Sequence, residues 1–537
     1  MNFRMILSAS MAVCSLSTWG QVQSGDTILN RMVVVEQEYN PEITDAAKVN
    51  VVPAIPSLET TKKTVTYDWS ILPAMRLVGE TMDVYTVPEK QQKAAPGTVK
   101  LGYGSHGNVE ALAAYRFHCS EKDQVNLHVG LTGQDGKRKF AEEQAGKWSS
   151  YFYRTEAAAD WTHLFRRMTL DVSGNFGLSN FNFEPLFLPG KQKFTSGDFR
   201  VGIVSTDRDL PFQFKAATNL LIFQRQHDFR FDEAQENILR TTAEAIAPIN
   251  EQQQVGLAIQ LDNFFYQNVD FKNQTSLQLN PYFQWKNDDW NIHLGAHVDP
   301  ASGFGKKFRA APDVKIQCLL ADSYVLYAQA QGGKQLNDFR RLESVSPYSL
   351  LGQQIDATYE QINGAVGFRG SPVAGWWFHL YAGYQDLKND LIEGETWQGQ
   401  DTHNFYAGLE TRYAYKDRFW TKVKGVYRNW DASEGDDSED ADAALFFKTA
   451  LEANLEVGFR PITPLQFHVG YQYMYREKVA GEKLKDVSNL YAQGDYQIFP
   501  FMNIYARVAN LLNQNFQYHW GCQALGINFI GGVSFRF

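Results

Sequence analysis

From about residue 97 to its end, the sequence alternates apolar and polar residues in short runs, and that period limits what it can fold into. Val125, Leu127, Val129 and Leu131 alternate with Asn126, His128, Gly130 and Thr132. Val255, Leu257, Ile259 and Leu261 alternate with Gly256, Ala258, Gln260 and Asp262. The same pattern runs through Trp290–Asp299 and Leu465–Tyr473. Period two, with one apolar and one polar face, marks a half-buried strand. A soluble sandwich shows this period too. What differs is the polar face, where Asn, Gln, His and Asp suit a wet lumen while the apolar face meets lipid.

The spacing of the breaks carries the argument further. Short polar breaks fall at 118–122, 206–209, 248–251, 286–289, 321–323, 371–374, 416–418, 461–464 and Pro500. Long ones fall at 134–148, 177–196, 300–311, 333–357, 387–401, 431–445 and 512–524. Short turns alternating with long loops are the rhythm of an outer-membrane barrel. An open sheet edge is not tolerated in lipid, so the sheet must close. The expected fold is all-β: a closed antiparallel transmembrane β-barrel of about 22 strands, within a range of about 20 to 24. Prolines 211, 248, 461, 464 and 500 fall at strand ends or turns, where a missing N–H matters little. Pro281 falls inside Leu277–Trp285, where a bulge is expected.

Composition agrees. No later run of 18 or more apolar residues provides a helical span. Mean hydropathy is -0.38, which a barrel with a polar lumen gives as readily as a soluble protein. The 26 Tyr and 12 Trp suit the two bilayer interfaces. A net charge of -9 argues against nucleic acid as a partner.

The chain divides into three parts. Arg4, the apolar stretch Met5–Leu16 and the small residues before Gln21 read as a signal peptide over residues 1–20. A lipoprotein anchored at Cys14 is the alternative, disfavoured because the apolar stretch continues past Cys14. Residues 21–96, interrupted by Pro41, Pro53, Pro56, Pro73 and Pro88, read as an extended arm in the periplasm or entering the lumen. Residues 97–537 form the barrel. The last strand alternates through Val533, Phe535 and Phe537, the expected signal for the barrel-assembly machinery.

Asn510-Leu511-Leu512-Asn513-Gln514-Asn515-Phe516, followed by Gly531-Gly532-Val533 and the terminal Phe537, resembles the last hairpin of TonB-dependent receptors. The motif covers roughly the last 30 residues; elsewhere only the strand rhythm agrees. The resemblance implies a 22-strand barrel that moves solutes across the outer membrane, passively or with energy coupling. Residues 21–96 are too few for that family's folded plug and lack its Gly- and Arg-rich motifs. Met32-Val33-Val34-Val35-Glu36 loosely resembles the family's TonB-contact segment. The wording Glu36–Pro41 and Asp45–Asn50 resembles the opening of plug-less, receptor-like barrels of Bacteroidota. Implied partners are TonB or a periplasmic or surface lipoprotein, besides outer-membrane lipid and lipopolysaccharide.

Candidate chemistry is sparse. His128, Gln260, His293, His297, His379 and His468 fall on the polar, lumen-side face of their strands. His293 and His297 are two pleats apart, about 13 Å along the strand and too far for one metal ion. Cys119, Cys318 and Cys522 have no metal-ligand spacing and read as three unpaired thiols. The acidic run from Asp431 to Asp442 lacks calcium-loop spacing and reads as a solvated outer loop. Arg166-Arg167 falls at a periplasmic turn, whereas Lys306-Lys307 and Arg340-Arg341 fall in outer loops facing lipopolysaccharide phosphates. No GxSxG appears in the strand–turn–helix context a hydrolase needs, so neither an enzyme nor a cofactor is expected. Transport is the favoured function. The alternative is a non-conducting scaffold barrel serving an outer-membrane assembly or lipid-export complex, blocked by its loops.

Overall fold

The computed structural model describes residues 95–140, 146–185, 190–207, 210–227, 231–321, 323–432, 445–478, 483–519 and 521–537. The expected signal peptide, the segment Met32–Glu36 and nearly all of the arm lie outside them, as does most of the acidic run. The strands are β1 Gly97–Gly104, β2 Val109–His118, β3 Asp123–Lys139, β4 Lys147–Leu164, β5 Met168–Asn182, β6 Lys191–Ser205, β7 Gln213–His227 and β8 Asp232–Pro248. Then come β9 Gln253–Gln267, β10 Gln274–Lys286, β11 Trp290–Ser302, β12 Phe308–Leu320, β13 Tyr324–Gln335, β14 Thr358–Val373, β15 Trp376–Ile392 and β16 Gln398–Tyr415. The last are β17 Phe419–Ala432, β18 Leu451–Ile462, β19 Leu465–Tyr475, β20 Val487–Phe499, β21 Met502–Ala509, the small pair β22 Gln517–His519 and β23 Cys522–Gln523, and β24 Asn528–Arg536.

Twenty-two of these make one sheet. Each strand pairs antiparallel with the next in sequence, with β21 passing over the small pair to reach β24. The sheet closes because β24 pairs with β1, from Thr98 opposite Arg536 to Gly104 opposite Ile530. Phe537 completes that seam: its N–H donates to the Gly97 carbonyl at 3.0 Å, and Gly97 N–H donates to the Phe537 carbonyl at 2.8 Å. The chain is thus a closed 22-strand antiparallel β-barrel. Among the described residues no helix is long and apolar enough to cross a membrane.

The period-two pattern decides which side each residue takes. Leu127, Val129, Val255, Leu257, Leu294, Phe467 and Val469 are all exposed on the outside of the wall. An apolar outer face on a sheet with no free edge suits lipid, and the protein is an integral outer-membrane barrel. Turns of two residues at 374–375, 463–464 and 500–501 lie at the end that holds Gly97 and Phe537. The chain leaves β13, β17 and β21 for its long connections at the opposite end, which faces the outside of the cell.

Two expectations need correction. Pro281 makes no bulge: its strand keeps one register with both neighbours, and its ring faces outward. The pairing to β11 skips it instead, as a residue without an N–H requires. The long breaks are also shorter than they read. β3 runs on to Lys139, β5 to Asn182 and β15 to Ile392. Above the bilayer the outer face meets water, so a strand continues there without apolar alternation.

Inside the wall, aromatic rings lie over cross-strand glycines. Tyr282 covers Gly256, Tyr381 covers Gly408 and Tyr491 covers Gly470, each leaving less than 2.7 Å for an added Cβ. The Tyr282 hydroxyl then donates to Glu244 at 2.8 Å. A Gly256→Val substitution should displace that ring and destabilise the barrel by about 1–3 kcal/mol, as overpacking typically does. The temperature at which the folded barrel unfolds on a semi-native gel should fall; an unchanged temperature would refute this packing.

Candidate functional site: an inward-folded lid over the barrel mouth

The outer end of the barrel holds the largest buried apolar cluster among the described residues. Its wall half comes from the upper ends of β4 to β8: Phe152, Phe181, Phe194, Phe223 and Ala234. Its other half comes from connections folded inward: Phe339, Leu342, Tyr348, Leu350 and Leu351 from 336–357, Trp397 from 393–397, and Cys522 from 510–527. Phe181 stacks on Phe152 at 5.1 Å and meets Tyr348 edge-on at 5.1 Å.

The main lid element is a short helix, α1 (Phe339–Val345). Asp338 caps it, its carboxylate accepting the Arg341 N–H at 2.8 Å. Phe339 and Leu342, one turn apart, form its buried face. Polar contacts fix it sideways. Phe339 N–H donates to Glu236 at 2.8 Å, Asp338 lies 3.7 Å from Arg240, and Glu343 accepts from Ser179 at 3.0 Å. Arg340 pairs with Asp198 and donates to the carbonyls of Gly197 at 3.1 Å and Ile222 at 2.9 Å. Burial pushes the Asp338 carboxyl up from its ordinary range and pulls the Arg341 guanidinium down.

A second strap crosses the mouth through β22 and β23. Arg138 on β3 donates to the Gln523 carbonyl, Arg476 donates to Gln517 at 2.9 Å, and His519 lies 3.4 Å from Glu393. The Asn510 side chain holds the base of the strap by donating to the carbonyls of Gln514 and Leu525, both at 2.8 Å. Cys522 of the strap, 2% exposed, belongs to the same buried cluster as the α1 segment.

Below the lid the wall is polar. His293 lies 2.9 Å and His297 3.9 Å from the same Asp313 oxygen. Their backbones are two pleats apart, yet both rings turn to one carboxylate, which Asn280 and Gln331 also reach. Gln260 donates to Asp262 at 2.8 Å, His379 lies 2.9 Å from the Tyr327 hydroxyl, and His468 packs between Trp420 and Tyr491. His128 pairs in register with Ala158. These six side chains stand on five different strands and do not converge. Among the described residues no group of three or more His, Cys, Asp or Glu is placed to hold a metal.

Other expectations fall out differently. Arg340 and Arg341 do not reach outward to lipopolysaccharide; α1 carries them into the mouth, where Arg340 meets the inner wall. Lys306 and Lys307 remain exposed in an outer connection. Arg167 lies 3.1 Å from Asp207 at the periplasmic end. The three cysteines of the described residues are free thiols. The lid itself was not foreseen, because 333–357 reads as a solvated loop. Two signals were present: an Asp cap ahead of apolar residues spaced i, i+3, and Tyr348-Ser349-Leu350-Leu351, too apolar for a water-facing loop.

No protein-family model matches the chain, and no curated protein does. Solved structures do match its fold. The FrpB iron transporter from Neisseria meningitidis (F3-3 variant) superposes with a TM-score of 0.67 at 10% identity, over 83% of this chain and 82% of that one. The ferric-catecholate import receptor Fiu from K12 E. coli gives 0.61 at 9% identity over 82% of each chain. Copper transporter OprC gives 0.61 at 13% identity over 82% of this chain and 80% of that one. At such identities the likeness is one of fold.

The packing makes a prediction about access. In the purified protein a bulky maleimide should modify exposed Cys119 and spare Cys522. Phe339→Ala, which removes an aromatic anchor with a typical loss of about 3–5 kcal/mol in a core, should make Cys522 reactive. Mass spectrometry of labelled peptides reads both; equal labelling of Cys522 with and without the substitution would show that α1 does not cover it.

Proposed function

We propose that the protein moves solutes across the outer membrane through the barrel lumen, with the lid as its outer gate. The observation that carries this reading is the kind of bonding in the lid. α1 joins the wall through side-chain contacts, and the wider segment 336–357 adds one isolated backbone bridge, Leu350 to Thr396. Rings and ion pairs of this kind separate without unpairing a membrane strand, so the lid can leave while the barrel stays closed. The polar wall beneath would accept a hydrated solute.

The receptor-like last hairpin and the fold likeness to import receptors support a receptor-type transporter over a simple porin. On that reading Met32–Glu36 is the segment that would meet TonB, and Val533, Phe535 and Phe537 the strand read by the assembly machinery. A second reading keeps the lid permanently shut and makes the barrel a scaffold for an outer-membrane complex. The density of lid contacts favours it.

Planar-bilayer recordings separate the two. The mature protein should give small or rare current steps. A variant with residues 338–356 replaced by a short Gly/Ser linker should give large, long-lived ones, alone or once residues 21–96 are also removed. Silence from every form would overturn transport and leave the scaffold.

A further inference from the structure

Glu236 stands on the inner face of β8, above the bilayer. Its strand neighbours Gln235 and Asn237, on the outer face, are polar and bond to each other at 2.9 Å. The Glu236 side chain is 1% exposed, and what surrounds it is apolar. Phe223 on β7 and Tyr266 on β9 stand directly opposite it in register. Phe339 of α1 closes over the same place, 6.3 Å from the Phe223 ring and 5.9 Å from the Tyr266 ring. The first N–H of α1, that of Phe339, donates to the Glu236 carboxyl at 2.8 Å.

No cation is paired with it: among the described residues Glu236 forms no ion pair. The nearby guanidiniums are engaged elsewhere. Arg340 pairs with Asp198 on β6, Arg240 with Asp262 on β9, and Arg225 on β7 donates to the Ser349 carbonyl. Arg341 of α1 answers to Asp390 and Asp338. Asp338, the residue before Phe339, places a second buried carboxyl at the start of α1. Burial, with the Asp338 charge beside it, pushes the Glu236 carboxyl well above its ordinary range, against the pull of the Phe339 N–H and of Arg340. When α1 leaves, water reaches the carboxyl and returns it toward that range.

We propose that the lid is a proton-coupled latch: α1 closes on a neutral Glu236, and its departure releases that proton to water. The proposal rests on the gate reading and names what regulates the gate. Because the closed form holds the proton more tightly, closure is strongest below the ordinary glutamate range and is lost as pH rises through the raised value. Between the two, the closing equilibrium falls about tenfold per pH unit for one proton.

The test follows maleimide labelling of Cys522 relative to exposed Cys119 in the full mature chain. It runs from about pH 5 to 9, the span between an ordinary and a fully buried glutamic acid. Taking the ratio of the two thiols in one sample cancels the reagent's own response to pH. The ratio should rise with pH, by up to about tenfold per unit. In E236Q and E236M, neutral at every pH, it should stay low and flat. D338N, whose Asn still caps α1, should keep a rise. A wild-type ratio that is flat or falls with pH, or a rise that survives in E236Q or E236M, overturns the latch. Single-channel recordings over the same range separate the latch from transport. A pH-dependent ratio with no current, even after lid replacement, keeps the latch and removes transport; current from the lid-replaced variant with a flat ratio keeps transport and removes the latch.

Discussion

Everything in this structure follows from the need to pair every backbone N–H and C=O that lipid would otherwise strand. An unpaired group in hydrocarbon costs several kcal/mol, so a sheet crossing the membrane must close on itself. Here the closure is the seam between β1 and β24, continued by the reciprocal bonds of Gly97 and Phe537. Closure forces alternate side chains to opposite sides. Leu127 and Val129 go to lipid and His128 to the lumen for no reason beyond the pleat.

That constraint ends at the membrane surface, and the structure changes character there. The upper ends of β4 to β8 keep their ladder, but their inner faces turn aromatic. A wall of Phe152, Phe181, Phe194 and Phe223 facing open water would be unfavourable. The inward fold of 336–357 resolves this by placing Phe339, Leu342 and Tyr348 against it. Burial supplies the attraction, at roughly 1.5–3 kcal/mol for each large apolar side chain. The ion pairs Arg340–Asp198 and Arg240–Asp338 fix where α1 sits.

The sequence exposed these two regimes unequally. Within the bilayer, period two and the turn rhythm were enough to reach the barrel, its strand number and its orientation, because lipid demands a regular pattern. Outside it the pattern failed in two ways. Hydrophilic strand extensions such as Gln134–Lys139 read as loops, since nothing in their composition marks the ladder they belong to. The aromatic lid read as a loop because its partners lie far away in sequence: Phe339 meets Phe223 and Tyr266. Polar pairs across strands were equally hidden. His293 and His297 read as too far apart for one metal ion, and their shared partner Asp313, reached by the turned rings, was not visible.

The lid and the wall draw on the same residues, and this gives their separation a direction. Glu236, Asp198 and Arg240 belong to wall strands, yet each holds α1. When the lid leaves, Asp198 and Glu236 lose partners that α1 supplied, while Arg240 keeps Asp262. The aromatic wall would be wetted at the same moment. On the gate reading, opening is therefore uphill unless Phe181, Phe194 and Phe223 are covered again and the freed carboxyl groups meet new donors. The closed mouth is apolar and aromatic at its centre, with Asp198 and Glu236 along the edge where α1 begins.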